Sequence, residues 1–162
     1  MKREVFKKAE SVLYHVMRWG SVVCFVSLLV FVAAGVFVRF VPISSMGWAD
    51  EIIEFAFAWM VFLGTAVLWR ARSHFRVEVL PMRLAGRRLG RVLEIFLSLS
   101  AFVFLLVFTY EGGLIALLAT DRSPILELPK TLWYMVIPIS GIIMIGDTIR
   151  DLVAFFRGRS SN

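Results

Sequence analysis

Residues 48–81 read WADEIIEFAFAWMVFLGTAVLWRARSHFRVEVLP. The stretch opens with Asp50, Glu51 and Glu54, continues through an apolar run, and leaves through Arg70, Arg72 and Arg76. As a helix, residues 49–70 would cover about 33 Å at ~1.5 Å per residue. That length matches a hydrocarbon core of roughly 30 Å. Trp48 and Trp69 bracket the run as an interfacial aromatic belt would. Acids in the first turns suit the positive end of a helix dipole. One end is acidic and the other basic, so the segment reads as an oriented membrane span.

The rest of the chain agrees. Of 162 residues 59% are hydrophobic, and the mean hydropathy is +0.81. A soluble domain is nearer half apolar. Here the excess gathers into long runs, which defines an all-α integral membrane protein. The net charge of +6 does not point to nucleic acid, because the basic residues flank apolar runs instead of covering a polar domain. It reads as topology-setting charge facing anionic lipid. The single cysteine, Cys24, lies within an apolar run and reads as a small packing residue. His15 and His74 are too far apart in sequence to imply a metal cage or a heme pair.

Residues 2–18, KREVFKKAESVLYHVMR, pattern as an amphipathic helix. Val5, Phe6, Ala9, Val12, Leu13, Val16 and Met17 fall on one face, with Lys7, Lys8 and Arg18 outside it. Such a helix suits the membrane surface, or a partner's helix. The first span is expected at 20–41. Its charge-free stretch, 20–38, is longer than the ~7–15 residues of a signal-peptide core, so the span is expected to be retained. Arg39 near its end either snorkels to the interface or pairs with Asp50 or Glu51 across the turn. The opening stretch supplies the second span at 49–70, followed by a basic loop at 71–91. The third span is expected at 92–118 and the fourth at 131–156, with Pro138 a turn or two inside it. Between them, ATDRSPILELPK carries Pro124 and Pro129 and is expected to be extended. Asp147, Arg150 and Asp151 stand at a spacing that allows pairing along one helix.

Lysine and arginine set the orientation. They crowd the N-terminal segment, the 71–91 loop and the C-terminal tail, while the other two loops hold only Arg122 and Lys130 beyond Arg39. The positive-inside rule therefore predicts four transmembrane helices with both termini and the basic loop cytoplasmic.

Ionisable groups within spans are the natural functional candidates. Glu54 lies within two turns of the outer interface, where hydration or pairing accounts for it. Glu94 and Asp147 stand close to cytoplasmic arginines and read as salt-bridge partners. Glu111 lies deeper, about 10 Å inside the outer end of its span at ~1.5 Å per residue. It can be read as an ion-coupling acid, or, with Gly112 and Gly113 beside it, as part of a close helix contact. No serine stands with a histidine and an acid at catalytic spacing, and no Gly-rich phosphate loop occurs.

Beyond these physical readings, Glu51, Trp59 and Gly64, then His74-Phe75-Arg76-Val77-Glu78 and Leu80-Pro81, resemble the small membrane subunit of tripartite ATP-independent periplasmic (TRAP) transporters, the DctQ-like family. Ser123-Pro124, Leu128-Pro129, Tyr134 and Ile137-Pro138 extend the resemblance to nearly the whole chain. Phe75 replaces a common Ile and Glu78 a common Asp. Each motif is short, and their order and spacing carry the resemblance. It implies a bacterial or archaeal inner-membrane protein, not an enzyme, that holds no cofactor itself. The implied partners are a large multi-span subunit, which carries the substrate and sodium sites, and a periplasmic binding protein that delivers an organic acid. This chain would then scaffold the large subunit, with Arg39, Asp50, Glu51 and Glu54 expected to help dock the binding protein. The alternative is an autonomous homo-oligomeric transporter using Glu111 as its coupling acid.

Overall fold

The computed structural model describes residues 2–40, 46–71 and 88–156. Among these, every regular element is helical: α1 (Lys2–Phe40), α2 (Gly47–Arg70), α3 (Arg88–Leu118), the short α4 (Thr131–Tyr134) and α5 (Val136–Phe156). An isolated bridge pairs Arg122 with Pro129. Four stretches among the described residues are long and apolar enough to cross a membrane: Glu10–Phe40, Gly47–Arg70, Ile95–Leu118 and Thr131–Val153. The expected four spans are thus present. The chain is an all-α, multi-pass membrane protein.

Two boundaries differ from the sequence reading. The amphipathic segment 2–18 is not a separate element, because α1 runs as one helix of 39 residues through Gly20. No proline interrupts it. Gly20 instead serves packing, since a Cβ there would come within 3.2 Å of Leu63 on α2. The fourth span, expected as one helix, is interrupted at Met135. Pro138 explains this, because it has no N–H for the Tyr134 carbonyl and its ring crowds that carbonyl.

The helices stand in a row, α1 on α2, α2 on α5 and α5 on α3, with α4 bridging α2 and α3. Small residues permit the close approaches. Gly20 meets Leu63 and Gly64 meets Ser21, whose hydroxyl donates to the Met60 carbonyl at 3.1 Å. At the other interface Gly112 lies against Ile137, and Gly141 against Thr109. Met17, Leu63, Ala66, Leu105, Val136 and Met144 form the buried centre. Hydroxyls there turn inward on their own helices: Thr109 donates to Leu105 O at 2.7 Å and Ser140 to Ile137 O at 2.9 Å. Back-bonding of this kind satisfies a polar group where water is excluded.

Candidate functional site: the two polar ends of the bundle

Polar side chains concentrate at the two ends. One end carries the 119–130 loop and the start of α2, and the other carries Glu10, Arg70 and Arg150.

At the loop end, the expected extended segment is a braced hairpin-like turn. Ser123 N–H donates to Leu128 O at 2.8 Å, and Lys130 N–H to Asp121 O at 3.0 Å. The Ser123 hydroxyl accepts the Leu128 N–H at 3.2 Å. The tip closes with Glu127 N–H donating to Ser123 O at 3.1 Å, and Glu127 takes a left-handed φ of 52°. Pro124 sits on this tip without an N–H to offer, so Ile125 and Leu126 present its next two amides. Both go to one side chain. The Glu51 carboxylate accepts Ile125 N–H at 2.7 Å and Leu126 N–H at 2.9 Å. Glu51 is only 7% exposed. One helical turn earlier, Gly47 lies under the same tip, where a Cβ would crowd Ile125. The first turns of α2 therefore form the seat for a loop some 75 residues further along the chain.

The other sequence-selected residues arrange around this seat. Asp50 is exposed beside Glu51, and Glu54 receives Lys130 Nζ at 2.9 Å. The Glu54 side chain is 57% exposed, so this pair contributes little energy. Lys130 also lies 5.2 Å from the Trp133 ring centre. Arg39 is exposed in the last turn of α1 and makes no ion pair among the described residues. Glu51 is engaged by the loop, not by Arg39. Trp59 donates its indole N–H to Leu132 O at 3.0 Å, tying α2 to the turn before the Pro138 interruption, where Tyr134 is half-buried. Phe55 packs edge-on to buried Trp133 just above. Pro129 closes the loop opposite Arg122. His74, Arg76, Glu78 and Pro81 lie outside the described residues.

At the opposite end, Arg70 Nη2 lies 3.7 Å from both Glu10 on α1 and Asp147 on α5. Arg150 also pairs with Glu10. Trp69 donates to the Thr148 hydroxyl at 3.1 Å, which itself donates to Met144 O at 2.8 Å. The cluster expected along one helix at Asp147, Arg150 and Asp151 thus recruits Glu10 and Arg70 from two others. Glu10 drew no attention in the sequence, although it is an acid set among the basic residues of the N-terminal segment.

Glu111 stands apart from both ends. It is exposed on α3 and makes no hydrogen bond or ion pair to any described residue. Its neighbour Gly112 is buried at the α3–α5 contact, while Gly113 has open space around it.

A row of four apolar helices, with its ion pairs at the two ends and a centre whose hydroxyls bond back to their own helices, defines a small multi-pass membrane component. Residues 28–158 match the family described as tripartite ATP-independent periplasmic transporters, DctQ component, and the chain belongs to that family. It is 28% identical over 144 residues to a protein of Haemophilus influenzae named as a TRAP transporter small permease protein. That match covers 85% of this chain and 87% of the relative. It is 31% identical over 116 residues to the isethionate TRAP transporter permease protein DctMQ of Oleidesulfovibrio alaskensis. There 68% of this chain corresponds to only 18% of a much longer polypeptide. The chain is therefore a transport component of the TRAP type.

Proposed function

We propose that this chain is the static small subunit of a sodium-coupled TRAP transporter for organic acids. It sits in the inner membrane of a bacterium or archaeon, with both termini and the basic 71–91 loop on the cytoplasmic side. The loop end then faces the periplasm. A large multi-span subunit carries the substrate and sodium sites, and a periplasmic binding protein delivers the acid. This chain widens and anchors the large subunit, and its loop end contributes to the docking platform. The observation that carries the reading is the apolar centre among the four helices, formed by residues such as Ala66, Leu105 and Val136. A solute or ion crossing there would meet no polar relay among the described residues. The much longer DctMQ relative, which includes a region like this chain, supports a membrane partner.

Within that platform, Asp50 and Arg39 are exposed charges free to meet a binding protein, with Glu54 beside Lys130. Glu51 supports them from below by holding the loop. Rim charges act mainly on encounter rates. Reversing both, Asp50→Lys with Arg39→Glu, is expected to lower binding-protein-dependent uptake in proteoliposomes several-fold while the membrane complex still assembles. Uptake at the wild-type rate over a range of binding-protein concentrations would remove these residues from docking. The autonomous-transporter reading is tested by purification. A tagged chain that elutes as a homo-oligomer and transports alone would replace the subunit reading.

A further inference from the structure

Resting on the subunit reading, the exposed surfaces of α1 and α3 differ in a way that assigns them different neighbours. Met17 is the one residue of α1 in the buried centre, and from residue 20 to residue 40 the helix contributes no fully buried side chain. Its outward side chains, among them Val23, Val26, Val30 and Phe37, are aliphatic or aromatic, and no charge occurs in 20–38. Hydrocarbon satisfies such a surface completely. The outward stripe of α3 is also largely apolar, with Phe96, Val103, Val107 and Leu118 between 53% and 73% exposed. Ser100, Tyr110 and Glu111 lie on the same side, and all three are exposed.

Glu111 decides between lipid and protein. It stands about 10 Å inside the end of α3 at ~1.5 Å per residue, on a largely apolar stripe and without the lysine that Glu54 has in Lys130. Among the described residues nothing pairs with it. A carboxylate facing hydrocarbon at that depth is unfavourable, and ionisable groups within spans normally face protein or a hydrated cavity. Lysine and arginine can snorkel from such positions on long stems, and glutamate has less reach. Tyr110 beside it adds a phenol that also profits from a protein acceptor.

We infer that the outward stripe of α3, from Phe96 to Leu118, is the seat for the large membrane subunit. The occupant is a transmembrane helix of that subunit bearing an arginine or lysine at the depth of Glu111. The apolar residues on either side supply packing, and the ion pair fixes depth and rotation. The outer surface of α1 faces lipid. Glu111 is then an assembly residue, and coupling acids belong elsewhere.

Photo-crosslinking in native membranes tests this. A benzophenone amino acid replaces Val103 or Val107 on α3, or Val23 or Val30 on α1, in chains expressed with the whole transporter. The α3 positions are expected to yield an adduct with the large subunit, identified by mass spectrometry, and the α1 positions none. In parallel, Glu111→Lys is expected to reduce the co-purified large subunit at least tenfold. The isolated variant should melt as the wild type does, because the exposed side chain makes no hydrogen bond or ion pair to any described residue. Glu111→Gln should give an intermediate loss. Large-subunit adducts from α1 but not α3, or wild-type assembly in Glu111→Lys, would overturn the assignment while leaving the subunit reading intact. Adducts of two copies of this chain, with no large subunit recovered by the wild type, would overturn both.

Discussion

Glu51 is the residue on which the loop end depends. A carboxylate that accepts two consecutive amides holds the 124–127 tip much as a helix cap holds free N–H groups, with the added strength of a charged acceptor. Hydrogen bonds to charged groups contribute about 1.5–3 kcal/mol in net terms. Glu51→Ala should therefore destabilise the chain by about 2 kcal/mol, and Glu51→Gln by about half that, because the amide keeps one acceptor oxygen. Both should also release the tip locally. Hydrogen exchange at the Ile125 and Leu126 amides is expected to accelerate sharply in Glu51→Ala while the α3–α5 contact stays protected. Protection at those two amides equal to wild type would show that the turn holds itself. By charge pattern alone Glu51 stands beside Asp50 at an acidic helix start, and within the sequence only the family resemblance separates the two. The difference is one of direction, and it is set by a loop far along the chain.

At the scale of helices, pairing turns on where a missing Cβ is needed. Gly112 and Gly113 are adjacent in sequence yet unlike in surroundings: a Cβ on the first would collide with Ile137, and on the second it would meet nothing. Gly112→Ala should cost about 1–3 kcal/mol through overpacking of the α3–α5 contact. Gly113→Ala should be neutral or stabilising by up to about 1 kcal/mol, because alanine is the better helix former. Thermal melting of the two variants in one detergent checks this, and equal losses would contradict the packing account. The spans themselves were legible because hydrophobic run length fixes them almost without tertiary information. Their ends were less so. α3 begins at Arg88, four residues before the expected start of the span at 92, since the helix continues past the apolar run. The interruption at Met135 follows from Pro138, which the sequence displayed but whose effect it left open. The amphipathic stretch 2–18 and the span expected at 20–41 run on as one helix, and Gly20 between them serves close packing against α2.

For the whole molecule, the question is what fastens α1 to a bundle that it touches along one side only. Among the described residues its helix-to-helix packing is with α2 alone. Glu10 adds the remaining link, because it pairs with Arg70 of α2 and reaches Arg150 of α5 beyond it. Arg70 and Glu10 are 16% and 22% exposed, so solvent screens them only in part. Their contribution should exceed that of a fully exposed pair and still be modest, about 1 kcal/mol. Glu10→Gln removes both pairs, although Arg70 retains Asp147 at 3.7 Å. The variant should melt a few degrees below wild type at low ionic strength. Raising salt toward ~1 M shortens the screening length to about 3 Å, so the wild type should lose most of its advantage there while the variant changes little. Crosslinks between α1 and α5 near this end, for example from cysteines replacing Ser11 and Val153, should form less efficiently in Glu10→Gln. A melting difference that persists unchanged at high salt would instead assign Glu10 a packing role. In that case the small-residue contact with α2 would be enough to hold α1.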